Sequence, residues 1–107
     1  MTRRDTAYRD VDTPDAEAVL PGHVLLDFGT DWCGHCVAAR VPVDAWVRDR
    51  PGIDHLRIED GRGRPLGRAH RVKLWPTLVL LRDGREVARV VRPREARDLW
   101  PLDEAVR

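Results

Sequence analysis

The sequence predicts an α/β fold: a central mixed β-sheet flanked by helices and ending in an antiparallel C-terminal hairpin. Three observations carry this. Residues 24–28 (Val-Leu-Leu-Asp-Phe) and 78–81 (Leu-Val-Leu-Leu) are near-continuous apolar runs bounded by breakers, the pattern of strands buried on both faces. Between them, Val37, Ala38, Val41, Ala45, Trp46 and Val47 recur at helical spacing. Arg82-Asp83-Gly84-Arg85, followed by Glu86-Val87-Ala88-Arg89-Val90-Val91, carries the Asp-Gly signature of a tight hairpin and its returning strand.

The remaining elements follow in chain order. Residues 1–11 are polar, and Ala7, Tyr8 and Val11 support at most a short edge strand. Thr13-Pro14-Asp15-Ala16-Glu17 starts a short helix: Thr13 can cap it, Pro14 suits its first position, and Pro21-Gly22 stops it. The helix after Cys36 runs to Asp49, with Pro42 inside it removing one backbone hydrogen bond, and Pro51-Gly52 ends it. Residues 53–59 alternate roughly (Ile53, Leu56, Ile58) and read as a strand. After the loop Asp60-Gly61-Arg62-Gly63-Arg64-Pro65 comes a short helix over about residues 66–71. Pro93 and Glu95 open a last helix whose apolar side is Leu99, Trp100, Leu102 and Val106, and Pro101 is expected to break or kink it.

A chain of 107 residues supports one core, so residues 1–107 are expected to form a single domain. Charged residues reach 35% while the formal net charge is only +1, so no global field recruits nucleic acid or a membrane. The arginines around residues 57–73 lack aromatic interleaving and read as a solvated face. Met1-Thr2-Arg3-Arg4-Asp5 leads into no apolar run, and no segment approaches a membrane span; the cytoplasm is therefore the expected compartment.

Trp32-Cys33-Gly34-His35-Cys36 holds both cysteines of the chain. It lies where an apolar strand gives way to a helix. The free N–H groups and positive dipole end at a helix start stabilise an anion, so the Cys33 thiol is expected to ionise easily. Gly34 allows the tight turn into the helix, and a protonated His35 favours the thiolate further. A structural disulfide is disfavoured because so short a loop removes little chain entropy. Zinc is disfavoured because about four ligands are needed and no second cysteine pair exists. A pair of inert reduced thiols remains the bland alternative to a redox pair. Asp27, six residues before Cys33 and inside an apolar strand, is costly there unless neutral or paired. It is read as a proton acceptor beneath the site, with an exposed edge or a structural hydrogen bond as the alternatives.

Taken together, residues 24–28 with Asp27, the Trp32–Cys36 motif, Pro42, Trp75-Pro76-Thr77 and Arg82-Asp83-Gly84 resemble the thioredoxin family along nearly the whole chain. The resemblance implies the thioredoxin fold and thiol–disulfide exchange with disulfide-containing protein substrates, with no metal and no bound cofactor. It implies that Cys33 is the nucleophile and Cys36 the resolving thiol, and that Asp27 takes the Cys36 proton through a water molecule. Pro76 is implied to be cis and to pack against the sulfurs. Trp75, Pro76, Thr77 and Val91 are implied to flank the substrate groove. Trp32, Gly34 and His35 are implied to tune the site.

Departures from the family pattern bear on the substrate more than on the chemistry. Gly-His between the cysteines is similar to protein disulfide isomerases and shifts the couple toward oxidising. Gly29 stands where thioredoxins have a second tryptophan, Trp75 where an aliphatic residue precedes the cis proline, and Val91-Arg92 where a glycine flanks the groove. His55 falls at the lysine partner of the buried aspartate. The expected function is disulfide reduction by a monomer, with electrons from a thioredoxin-reductase-type flavoenzyme or small thiols. The alternatives are a non-catalytic thioredoxin-fold binding module or chaperone, and an oxidase or isomerase.

Overall fold

A computed structural model describes residues 2–10 and 21–107. Its elements are β1 (His23–Gly29), α1 (Gly34–Arg48), β2 (Asp54–Glu59), α2 (Pro65–Ala69), β3 (Thr77–Arg82), β4 (Arg85–Val91), a 3-10 turn (Ala96–Leu99) and α3 (Trp100–Ala105). The four strands form one sheet in the order β2-β1-β3-β4, with β1 parallel to β2 and antiparallel to β3. The expected mixed sheet with its antiparallel hairpin is therefore present. The helix expected from Thr13 lies outside the described residues.

Side chains of β1 alternate between two cores, as a period of two requires. Val24, Leu26 and Phe28 pack with Leu56, Ile58, Leu66, Val79 and Leu81 on the α2 side. Leu25 packs with Val43, Trp46, Val47, Leu80, Leu99 and Leu102 on the side covered by α1 and α3. Asp27, two residues after Leu25, shares that second face, and so lies toward the start of α1.

Residues 2–10 run along the outer edge of β2 as two isolated parallel bridges, Arg4 with His55 and Arg9 with Ile58. The pairing falls on other residues than expected: it is interrupted at Thr6 and Ala7, where the chain bends, Tyr8 makes no bridge, and Val11 lies outside the described residues. Arg57 fills the interruption: its Nη1 donates to the carbonyl oxygen of Asp5 at 2.8 Å.

The turn Asp83-Gly84 has positive φ at both residues (49° and 84°), the geometry that suits a two-residue hairpin. The expectation for Pro101 is corrected. It lies at the second position of α3, where a missing N–H costs nothing, so it helps start this helix rather than break it. Residues 93–99 form no α-helix; Glu95 and Asp98 form a capping box around the 3-10 turn.

Candidate active site

The C-terminal end of β1, the loop 30–32 and the first turn of α1 bring Asp27, Cys33 and Cys36 together. Cys33 is the residue capping α1, in an extended conformation (φ −76°, ψ 124°), and its carbonyl accepts the Val37 N–H at 3.0 Å. Both thiols are free, Cys33 half-buried and Cys36 only 2% exposed.

The two thiols differ in acidity. Burial alone would raise Cys33, but it is outweighed. The Cys36 backbone N–H and thiol, the His35 backbone N–H and the positive charge of Arg92 together hold Cys33 below the ordinary thiol value. His35 is exposed and acts on Cys33 through its backbone, while Arg92 supplies the cation. Cys36 is pushed up to about 12, chiefly by burial and further by Cys33; the Thr30 backbone and the Tyr8 hydroxyl pull in the opposite direction.

Asp27 is 3% exposed and is surrounded by partners. Tyr8 Oη donates to its Oδ1 at 2.7 Å, and His55 Nε2 lies 3.0 Å from its Oδ2. Arg57 Nε approaches the same Oδ2 at 3.5 Å, while its Nη2 is paired with Asp44 at 2.7 Å. The burial cost of the carboxylate is thus offset by paired groups rather than avoided by exposure. His55 occupies the partner position expected for it.

Tyr8 is the residue that sequence reasoning missed. Its hydroxyl also lies beside the Cys36 sulfur, both closing on the position a Cβ would take on Gly29, and it lowers the Cys36 pKa against the effect of burial. Gly29 makes this possible. A Cβ there would overlap Cys36 Sγ and would come within 3.0 Å of Tyr8 Oη. A bare glycine beside the site, with one tyrosine in the whole chain, was the available signal. The segment bearing Tyr8 is held by Asp31, whose Oδ1 accepts from the Tyr8 N–H at 3.2 Å and from Arg40 Nη2 at 3.0 Å.

The rim is built from the turn before β3. The Trp75–Pro76 peptide bond is cis, and Pro76 is buried. Trp75 meets Trp32 edge-on, with ring centroids 5.8 Å apart at 80°, and Trp32 is 76% exposed. Trp75 Nε1 donates to Asp60 Oδ2 at 2.8 Å, and Thr77 Oγ1 donates to the Leu74 carbonyl at 2.6 Å. Val91 pairs with Thr77 across the hairpin and is exposed. Arg92, at a left-handed φ of 52°, donates its backbone N–H to the Pro76 carbonyl at 2.9 Å and its Nε to the Trp75 carbonyl at 2.8 Å. All residues anticipated for the site therefore gather at one end of the sheet. Among the described residues, no group of three or more His, Cys, Asp or Glu side chains could hold a metal ion.

The family model described as Thioredoxin matches residues 15–102. The chain belongs to the thioredoxin family. It is 35% identical over 88 residues to a thioredoxin of Chlamydia trachomatis serovar D, covering 81% of this chain and 85% of that one. It is 29% identical over 86 residues to thioredoxin-1 of Saccharomyces cerevisiae, covering 80% of this chain and 84% of that one. The fold is similar to that of thioredoxin 2 from Pseudomonas aeruginosa PAO1 in its reduced form, with a TM-score of 0.82, 50% identity and 96% of each chain covered. This thioredoxin-family chain is an enzyme, a thiol–disulfide oxidoreductase with disulfide reductase activity. It acts on disulfide substrates with a reductase or a thiol as electron donor. Among the described residues, no helix is long and apolar enough to cross a membrane.

Proposed function

We propose that Cys33 attacks protein disulfides, that Cys36 resolves the mixed disulfide, and that Asp27 receives the Cys36 proton. The observation that carries this is the asymmetry of the pair: an acidic, half-exposed Cys33 at the start of α1 against a buried Cys36 held near 12. The Cys33 thiolate attacks one sulfur of the substrate and expels the other as a thiolate. Cys36, deprotonated, then attacks Cys33 Sγ, closing the Cys33–Cys36 disulfide and releasing the second substrate thiolate. Two electrons pass from the pair to the substrate.

Trp75, Pro76, Thr77 and Val91 flank the substrate groove, and Trp32, Gly34 and His35 tune the pair. The exposed ring of Trp32 and the exposed Val91 give that groove apolar surface for an extended protein segment. The enzyme works as a monomer, as one domain over residues 1–107, in the cytoplasm. It is recharged by a thioredoxin-reductase-type flavoenzyme or by small thiols, and needs neither nucleic acid nor a membrane. The test is insulin-disulfide reduction. Cys33→Ser abolishes it, and Cys36→Ser traps a mixed disulfide through Cys33. Reduction surviving in Cys33→Ser contradicts the assignment.

A further inference from the structure

We infer that Tyr8 relays the proton between Cys36 and Asp27, its hydroxyl bridging the resolving thiol and the buried carboxylate. Its one phenolic proton is committed to Asp27 Oδ1 at 2.7 Å. The Cys36 sulfur lies beside that oxygen, against the same point at Gly29, and the oxygen keeps a lone pair free to accept the S–H. Both the sulfur and the hydroxyl occupy the space a Cβ would take on Gly29, so a side chain there would displace them. The other carboxylate oxygen of Asp27, Oδ2, is taken by His55 Nε2 at 3.0 Å and Arg57 Nε at 3.5 Å, while Oδ1 is the oxygen that meets Tyr8.

The step balances as a concerted shift. Cys36 passes its proton to Tyr8 Oη, Tyr8 passes its own to Asp27 Oδ1, and the Cys36 thiolate attacks Cys33 Sγ of the mixed disulfide. The Cys33–substrate bond breaks, the substrate leaves as a thiolate, and Asp27 ends as the neutral acid. After the shift, the phenol hydrogen points at the new thiolate and stabilises it. The phenol never ionises: burial first, then the Asp27 charge and hydrogen bond, hold its pKa far above that of an ordinary phenol. The relay rests on the proposed roles of Cys33, Cys36 and Asp27, and adds to them a residue from outside the family-matched span of 15–102.

The relay is tested by mixing the reduced full chain with a chromogenic aromatic disulfide and following release of its two thiolates. The first phase reads attack by Cys33 and the second reads resolution by Cys36. In Tyr8→Phe the second phase is expected to slow on the order of tenfold near neutral pH and to climb steeply with pH, because thiolate formation has lost its proton path. Asp27→Asn is expected to slow the same phase, and the double variant to be no slower than Asp27→Asn alone. Fluorotyrosine at position 8 restores the rate and displaces its pH profile. A second phase in Tyr8→Phe with wild-type rate and pH profile overturns the relay, as does an additive loss in the double variant. Should Tyr8→Phe fail to fold, the fluorotyrosine protein decides, and an unchanged pH profile overturns the relay. A wild-type chain with no first phase overturns the cysteine assignment itself, and the relay with it.

Discussion

Arg92 Nε donates a 2.8 Å hydrogen bond to the carbonyl oxygen of Trp75, and its guanidinium also lowers the Cys33 pKa. One side chain thus ties down the residue before the cis proline and acidifies Cys33. It does so from a left-handed backbone, which costs an arginine about 1–2 kcal/mol relative to glycine. Arg92→Gly is expected to leave the melting temperature nearly unchanged, since relieved strain offsets the lost hydrogen bond. Attack by Cys33 below neutral pH is expected to slow about two- to threefold, the size suited to an exposed charge. Stopped-flow alkylation of Cys33 across pH checks this.

Trp75 is oriented by a short chain of contacts. Its indole N–H bonds Asp60, and a Cβ on Gly67 would overlap that carboxylate. Gly67→Ala is therefore expected to push Asp60 aside and release Trp75 from its edge-on contact with Trp32. Tryptophan fluorescence reads the change directly. The Michaelis constant for a protein disulfide is expected to rise several-fold, with attack on a small disulfide retained.

The thiol asymmetry makes opposite demands on pH. Cys33 sits below the ordinary thiol value, so its alkylation stays fast as the pH falls through the range where free cysteine slows. Cys36 is raised to about 12, so folding favours its neutral form. That stabilisation is complete below the unfolded thiol pKa, about 8.5, and is lost as the pH rises from there toward 12. Denaturant titrations of the reduced chain are expected to show stability falling over this window, and Cys36→Ala to flatten the fall.

Much of this was legible in the sequence because the signals are local. The apolar runs of β1 and β3, the Asp83-Gly84 turn and the paired cysteines each state their geometry within a few residues. His55 was placed by resemblance and meets Asp27 as expected. Tyr8 was not legible. Its contact with Asp27 spans 19 residues and depends on a bend at Thr6 and Ala7 in an edge segment, where pairing decides position more than propensity does. Pro101 was misread because a proline signals both the start and the end of a helix, and only the position of α3 distinguishes them. The left-handed φ of Arg92 gives no sequence signal, since arginine has no preference for it.

Gly29 carries the cost of the crowding above it. Gly29→Ala is expected to destabilise the chain by about 1–3 kcal/mol, because Cys36 and Tyr8 must both move in a packed interior. Thermal unfolding reads the loss. The first thiolate-release phase is expected to stay within about twofold of wild type while the second slows, since proton transfer requires hydrogen-bond reach.

Reduction potential is the measurement that bears most directly on a Cys33–Cys36 pair working as a disulfide reductase. Thiol trapping in graded dithiothreitol and glutathione buffers provides it. A potential nearer the thioredoxin value of about −270 mV than the isomerase value of about −180 mV is predicted. A couple at or above the isomerase value would contradict reductase work, and a pair that forms no disulfide in any buffer would contradict the redox assignment altogether.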